Sequence, residues 1–186
     1  MKKYLKWFFI LVPFFALIIF FIIVALIPNK AANEEKIKVK EYVTKDGRVT
    51  FVAPETFKQE EKSDYDLYLN KNNNQIVGVF SYNLNEYEEN TAKQVLDKQV
   101  QYFLDNKKDM KLFKKETILD LEDKKITRVE YSGKTDKSSE CVYIISVIEF
   151  KTDANYVLFV NEVIFKNKYE NNISEMINIL KNVKLN

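Results

Sequence analysis

Residues 140–165 read ECVYIISVIEFKTDANYVLFVNEVIF, two apolar segments joined by a short polar turn. Glu140–Phe150 and Tyr156–Phe165 are apolar on both faces, which is typical of strands that are covered on both sides. Antiparallel neighbours need only a short turn between them. The two segments therefore predict the middle of an antiparallel sheet, and Leu112–Leu121 and Ile126–Tyr131 predict the two strands that precede them.

The first part of the domain also has the pattern of paired strands. An Asp-Gly turn at residues 46–47 lies inside an alternating stretch, Ile37–Phe51, and predicts a hairpin because the turn requires positive φ. Tyr65–Leu69 and Gln75–Tyr82 alternate in the same way on either side of an asparagine run. Gly78 inside the second of these indicates a bulge or a close approach of another group to the backbone.

Two segments have helical periodicity. Thr91–Asn106 begins with a T-x-x-Q capping box and carries apolar residues on one face, which predicts a helix lying on the sheet. Ile173–Asn182 shows the same periodicity, with Asn172 and Glu175 as a second capping box. Val183–Leu185 predicts a short terminal strand.

Composition excludes several classes of chemistry. The chain has no histidine, which rules out Ser-His-Asp and Cys-His catalysis and zinc sites built on imidazole. Its one cysteine, Cys141, cannot form an intramolecular disulfide, and its apolar surroundings favour a buried small hydrophobe over a reactive thiol. The net charge of +2 comes from lysines near the N-terminus, so the remainder of the chain has no electrostatic feature that favours nucleic acid.

An uncharged segment precedes this domain. Residues 7–27 are apolar throughout, and as a helix they would be roughly 32 Å long, enough to cross a bilayer. We expect a cytoplasmic head at 1–6, a transmembrane signal-anchor at 7–27, a tether at 28–36 and an extracytoplasmic α+β domain at 37–186. A cleaved signal peptide is the alternative, although the segment is longer than a usual signal core and no good cleavage site follows it. The expected localisation is the cell membrane, with a single pass and the C-terminal domain outside.

Two groups of oxygen-bearing side chains are candidate sites. Asp64 and Asp66, with Asn70 and residues 72–74, could bind calcium, but they lack the EF-hand spacing and fit a solvated strand edge and loop better. Three acids around residue 122 could form a carboxylate pair, but they lie in a turn beside two lysines; they are Asp120, Glu122 and Asp123. Ser132-Gly133 is too common a pair to indicate a nucleophile. We therefore predict no catalytic, cofactor-binding or metal-binding residues, no cofactor and no enzymatic activity.

The order of elements carries a resemblance to a known fold. Residues 51–57 (FVAPETF) follow the first hairpin, residues 156–159 (YVLF) lie in a late strand, and residues 177–184 (INILKNVK) end the chain. Together they resemble the Mog1/PsbP-like fold over roughly residues 40–186. The resemblance implies an α+β domain in which helices flank an antiparallel sheet, an α/β/α sandwich. It also implies a partner-binding role, although none of these motifs carries a functional residue.

We therefore expect a non-catalytic protein-interaction module in the bacterial envelope. Its partners would be the bilayer, through one span, and an envelope protein, with no nucleic acid. Two alternatives remain open. The domain could bind a small apolar or lipid-like ligand in a cleft between sheet and helix lined by Tyr and Phe, or the chain could be a bitopic subunit of a secretion or conjugation apparatus.

Overall fold

The computed structural model describes residues 37–186. The predicted head, transmembrane segment and tether lie outside the described residues. Lys38–Asn186 forms one compact unit. Neither helix in this part of the chain combines the length and apolarity that crossing a bilayer requires.

The domain contains ten strands and two helices. The strands are β1 (Val39–Val43), β2 (Val49–Pro54), β3 (Lys58–Gln59), β4 (Leu67–Lys71), β5 (Gln75–Asn83), β6 (Lys108–Asp120), β7 (Lys124–Lys134), β8 (Glu140–Phe150), β9 (Asp153–Phe165) and β10 (Lys184–Leu185), and the helices are α1 (Ala92–Asn106) and α2 (Tyr169–Lys181). Seven strands form the main sheet in the order β3-β4-β5-β9-β8-β7-β6, and every neighbouring pair is antiparallel.

The predicted central strands are confirmed. β8 and β9 lie side by side with Ile144 opposite Glu162, and β7 and β5 flank them. Residues 141–148 of β8 are all buried, because both faces of the sheet are covered. Their uninterrupted apolar composition follows from this double burial.

The first face of the main sheet is covered by α2 and by a second, three-stranded sheet in the order β1-β2-β10. The predicted α/β/α sandwich is therefore correct only in part, because half of this layer is β-structure. The predicted hairpin and terminal strand are both present: Gly47 turns the hairpin with a φ of 72°, and Leu185 pairs with Val49. The last strand therefore joins the first hairpin, a pairing that no local pattern indicates.

The second face is covered by α1, whose buried residues are Ala92, Val95, Leu96 and Phe103. Thr91 is its N-cap, as predicted, and its side chain accepts a hydrogen bond of 3.2 Å from the Gln94 amide. The second hydrogen bond of the capping box differs from the expected one. The Gln94 side chain accepts from the backbone amide of Asn90, and not from that of the N-cap residue Thr91.

The second predicted capping box is wrong. α2 begins at Tyr169, one turn before Asn172, and the Asn172 side chain donates back to the Lys168 carbonyl. Glu175 instead accepts from Lys71 at 2.7 Å and from Gln75 at 3.1 Å. The buried ring of Tyr169 packs in the core and extends the helix towards its N-terminus.

Candidate functional site

The edge strand β6 is the most exposed of the long strands in the main sheet. It has thirteen residues, ends the sheet, and pairs with β7 on one side only. Leu112, Phe113 and Ile118 are 54%, 39% and 58% exposed. We call these three residues, with the exposed lysines Lys108, Lys111 and Lys115, the β6 surface. It wraps around the edge of the sheet, because Phe113 lies on the Tyr169 side and Ile118 on the side of α1.

The β6 surface has an excess of positive charge. All three acids of the strand are paired with lysines on neighbouring elements: Asp109 with Lys134, Glu116 with Lys93, and Asp120 with Lys151. Among the described residues, the three lysines of the β6 surface have no such acidic partner. The strand therefore presents unpaired cations beside exposed apolar side chains.

The first half of β6 is also irregular. Register shifts interrupt its pairing with β7 between Lys108 and Thr117, whereas Thr117–Asp120 pairs regularly. Bulges and lysines on an edge strand discourage indiscriminate addition of another strand. This half of the strand therefore presents its side chains rather than a regular open backbone edge.

A chain of polar contacts links β6 to the core. The Phe113 ring packs edge-on against Tyr169, with ring centroids 5.1 Å apart. The Lys114 ammonium donates to the Tyr169 hydroxyl at 2.6 Å, and this hydroxyl donates to Glu130 at 2.5 Å. Arg128 forms an ion pair with the other oxygen of Glu130. These contacts hold the middle of the strand in place.

A fully buried carboxyl group, that of Glu162, lies behind these polar contacts. Glu162 occupies the same row of the sheet as Glu130, with Ile144 between them. Neither of its oxygens has a hydrogen-bond partner among the described residues. The pKa of Glu162 is raised to about 8, chiefly by burial; the nearby Arg128 opposes this shift and Glu130 adds to it. Such a carboxyl group is neutral in the folded chain at pH 7.

A cleft of about 310 Å³ lies between α1 and the second face of the main sheet. It is the kind of cleft that the ligand-binding alternative expects, since most of its lining is aromatic. We call it the aromatic cleft; its lining residues are Asp64, Tyr65, Phe80, Gln99, Tyr102, Phe103, Phe159 and Asn161.

Gly78 shapes the cleft. A Cβ atom at this position would lie 2.4 Å from the Tyr65 ring, so only glycine lets the ring rest on the sheet. The predicted close approach is confirmed. Tyr65 then packs against Phe80 with centroids 4.5 Å apart, and Phe80 stacks on Phe159 at 5.5 Å.

The candidate calcium ligands serve structural roles. Asp66 accepts from the Ser81 amide at 2.6 Å, and Asn70 caps the turn by accepting from the Asn73 amide at 2.9 Å. Asn72 and Asn73 both have positive φ, which accounts for the asparagine run. Within residues 37–186 no three Asp, Glu, Cys or His side chains are grouped so that they could hold a metal ion.

The other candidates are also accounted for by structure. Asp123 pairs with Lys124 at 2.7 Å, as acids in a solvated turn do. Cys141 is fully buried, and burial raises the pKa of its thiol. Gly133 lets Met110 and Tyr143 pack against the β7 backbone.

Sequence reasoning missed the β6 surface and two adjacent buried polar residues of β9, Asn161 and Glu162. A signal was available for the latter: NE at residues 161–162 interrupts an otherwise apolar strand. Polar residues in a strand covered on both faces are costly, so their presence there requires an explanation.

Comparison with solved structures identifies the architecture. The chain is similar to cyanobacterial PsbP (CyanoP) from Synechocystis, with a TM-score of 0.57 and 10% identity, over 86% of this chain and 99% of CyanoP. It is also similar to the Ran-binding protein Mog1p of Saccharomyces cerevisiae, with a TM-score of 0.55 and 12% identity, over 80% of this chain and 96% of Mog1p. The domain has the Mog1/PsbP-like fold.

A third structure with this fold is LpqN of Mycobacterium tuberculosis, which is involved in cell envelope biogenesis. Its TM-score is 0.55 and its identity 10%, over 82% of this chain and 92% of LpqN. No family model and no curated protein sequence matches the chain. At such low identities the likeness concerns the Mog1/PsbP-like fold alone, and the β6 surface and aromatic cleft have to be interpreted from this chain's own residues.

Proposed function

We propose that this chain is a non-catalytic protein-interaction module of the bacterial envelope, held at the membrane by residues 7–27. The observation that carries the proposal is the β6 surface, where exposed apolar side chains lie beside unpaired lysines. The Mog1/PsbP-like fold supports it, because the same architecture occurs in Mog1p, which binds Ran, and in LpqN, which is involved in cell envelope biogenesis.

The chemistry of the surface defines the partner. Leu112, Phe113 and Ile118 are large apolar groups that gain free energy when a partner covers them. The surrounding lysines favour an acidic partner and raise the rate of encounter with it. The partner is therefore a protein with an apolar patch bordered by Asp and Glu, and the lysines select against basic surfaces.

The rigidity of the strand supports recognition. Phe113 and Lys114 are fixed on Tyr169, so the exposed groups of β6 are held in one arrangement before a partner arrives. Preorganisation of this kind lowers the entropy lost on binding. A loop with the same residues would bind the same partner more weakly.

Site-specific photo-crosslinking in cells tests the proposal. A photo-crosslinking residue at Ile118 should capture one dominant envelope protein. Lys58 on β3, at the opposite edge of the same sheet, is the matched control and should capture little. Equal capture from both edges, or capture of lipid alone from Ile118, would contradict a protein-binding role for β6.

Charge reversal provides a second readout. Lys111→Glu combined with Lys115→Glu should reduce crosslinking from Ile118 by at least tenfold, which corresponds to about 1.4 kcal/mol. Lys137→Glu, in the exposed loop after β7, makes the same chemical change away from the surface and should leave crosslinking intact. If Lys137→Glu reduces crosslinking as much as the double variant does, the net charge of the protein, and not the β6 surface, controls association.

The membrane topology is tested by cysteine labelling. Cys141 is fully buried, so a single exposed cysteine introduced as Lys137→Cys reports accessibility with little background. A membrane-impermeant maleimide should label it in intact cells, while the protein stays in the membrane fraction. Labelling only after lysis would place the domain on the cytoplasmic side and contradict the expected orientation.

A further inference from the structure

The aromatic cleft has features that packing alone does not explain. Its floor is formed by strands β5 and β9 through Phe80, Phe159 and Asn161, and its walls by Tyr65 and by α1. A volume of about 310 Å³ lies at the lower end of the range for small-molecule sites. It fits a single ring with a short substituent and is too small for a long acyl chain.

Asn161 is the unexplained group in this cleft. Its side chain is 8% exposed, and its Oδ1 has no hydrogen-bond partner among the described residues. An amide oxygen that is buried without a hydrogen-bond partner destabilises the folded state. A leucine in its place would avoid this cost, so the polar side chain indicates a role beyond packing.

The other polar groups of the cleft are hydrogen-bond acceptors. Gln99 donates its Nε2 to the Tyr82 hydroxyl at 2.8 Å, which fixes the amide and leaves Oε1 as an acceptor. Asp64 adds a carboxylate at the rim, where one of its oxygens accepts from the Ser63 hydroxyl. No lysine or arginine lines the cleft. The ligand must therefore supply donors, and a negative charge would be repelled.

The aromatic walls favour the same kind of molecule. Tyr65 packs at a tilt against Phe80, Phe80 stacks on Phe159, and Phe103 packs edge-on to Phe159 with centroids 6.4 Å apart. Ring faces are electron-rich and attract cations as well as other rings. A flat apolar body and a positively charged head both match this lining.

We propose that the aromatic cleft binds a small aromatic amine, with its ring among Phe80, Phe159 and Tyr65. Its ammonium group donates to Gln99 Oε1 and to the Asp64 carboxylate, and it reaches Asn161 Oδ1, which is sealed in the free domain, when that side chain turns towards the cleft. This site is independent of the β6 surface, which lies on the strand at the edge of the sheet, and it adds a ligand-dependent function to the domain.

Calorimetric titration of the full-length chain in lipid nanodiscs tests this proposal; nanodiscs avoid detergent, which could itself fill the cleft. The probe is phenethylamine, and 3-phenylpropanoate is the matched anion with the same ring and spacer. Phenethylamine should bind with a submillimolar Kd, and the anion at least tenfold more weakly. Empty nanodiscs correct for partitioning of the amine into lipid.

Two variants locate the site. Asn161→Leu should weaken phenethylamine binding at least tenfold and raise the melting temperature, because it removes a buried unsatisfied amide. Asp64→Asn, a change at the exposed rim that keeps the shape of the side chain, should weaken it several-fold without altering stability. Asn155→Leu, at an exposed position of the same strand, should leave binding unchanged.

Several outcomes would overturn the proposal. The first is the absence of binding up to about 5 mM phenethylamine. The others are equal binding of the amine and the anion, and equal binding by the wild type, Asn161→Leu and Asp64→Asn. Crosslinking through Ile118 would be unaffected by any of these results, so failure here is separable from failure of the interaction-module proposal.

Discussion

Glu162→Gln should stabilise the domain, and the gain should increase with pH. In the wild type the fully buried carboxyl has no hydrogen-bond partner, and burial raises its pKa from 4.5 to about 8. Glutamine has nearly the same shape and cannot ionise. The substitution therefore isolates the cost of holding this acid in the core.

The sign follows from proton binding. A carboxyl group whose pKa is raised in the folded state binds more protons than in the unfolded chain, so folding is favoured at low pH. This contribution is complete below about pH 4.5 and is lost as the pH rises towards 8. The full shift corresponds to about 5 kcal/mol, of which about 3–4 kcal/mol falls between pH 5 and pH 8.

Urea denaturation of residues 37–186 at pH 5, 6, 7 and 8 measures the effect. The difference in unfolding free energy between Glu162→Gln and wild type should increase steadily over this range. Glu122→Gln makes the same chemical change at an exposed turn and should show no such trend. A difference for Glu162→Gln that stays constant within about 0.5 kcal/mol would refute an uncompensated buried acid.

Three further substitutions test other parts of the structure. Gly78→Ala should destabilise the domain by about 1–3 kcal/mol, because its Cβ would lie 2.4 Å from the Tyr65 ring. Adding Tyr65→Ala to this variant should recover part of the lost stability. If denaturation shows that the two substitutions have purely additive effects, there is no clash between them. Thr91→Ala removes the N-cap of α1 and should cost about 1 kcal/mol, whereas an unchanged denaturation midpoint would show that the cap is dispensable. Tyr169→Phe removes the hydroxyl between Lys114 and Glu130 and should lower the stability of the domain by about 1–3 kcal/mol. Amide hydrogen exchange in β6 should also become faster. Exchange rates equal to those of the wild type would mean that this contact does not hold the strand in place.

Sequence patterns correctly predicted the strands, helix starts and turns that depend on a few adjacent residues. The unbroken apolar composition of residues 140–165 placed β8 and β9 at the centre of the sheet, because only strands buried on both faces can lack polar alternation. Thr91 marked the start of α1, and the Asp-Gly pair marked the first turn, since both depend on the backbone conformation of a few adjacent residues. Gly78 also indicated a close approach, but the group that approaches it, the Tyr65 ring, comes from a different segment of the chain.

The partners of these elements depend on contacts between distant residues. Leu185 pairs with Val49, and Glu175 binds Lys71, although more than a hundred residues separate each pair. The start of α2 at Tyr169 was missed because burial of its ring, not a capping residue, decides it. The aromatic cleft likewise depends on residues of three separate elements meeting at one place.

The sequence by itself determined the order of strands and helices and excluded histidine-based chemistry, because composition and periodicity are properties of the chain before it folds. Tertiary structure alone decided that β6 is an exposed edge, that Asn161 lines a cleft, and that Glu162 is sealed in the core. Alternation places successive residues on opposite faces of a strand, but what covers each face is decided by packing. Neighbours in the sequence such as Asn161 and Glu162 therefore acquire unrelated surroundings only when the layers assemble.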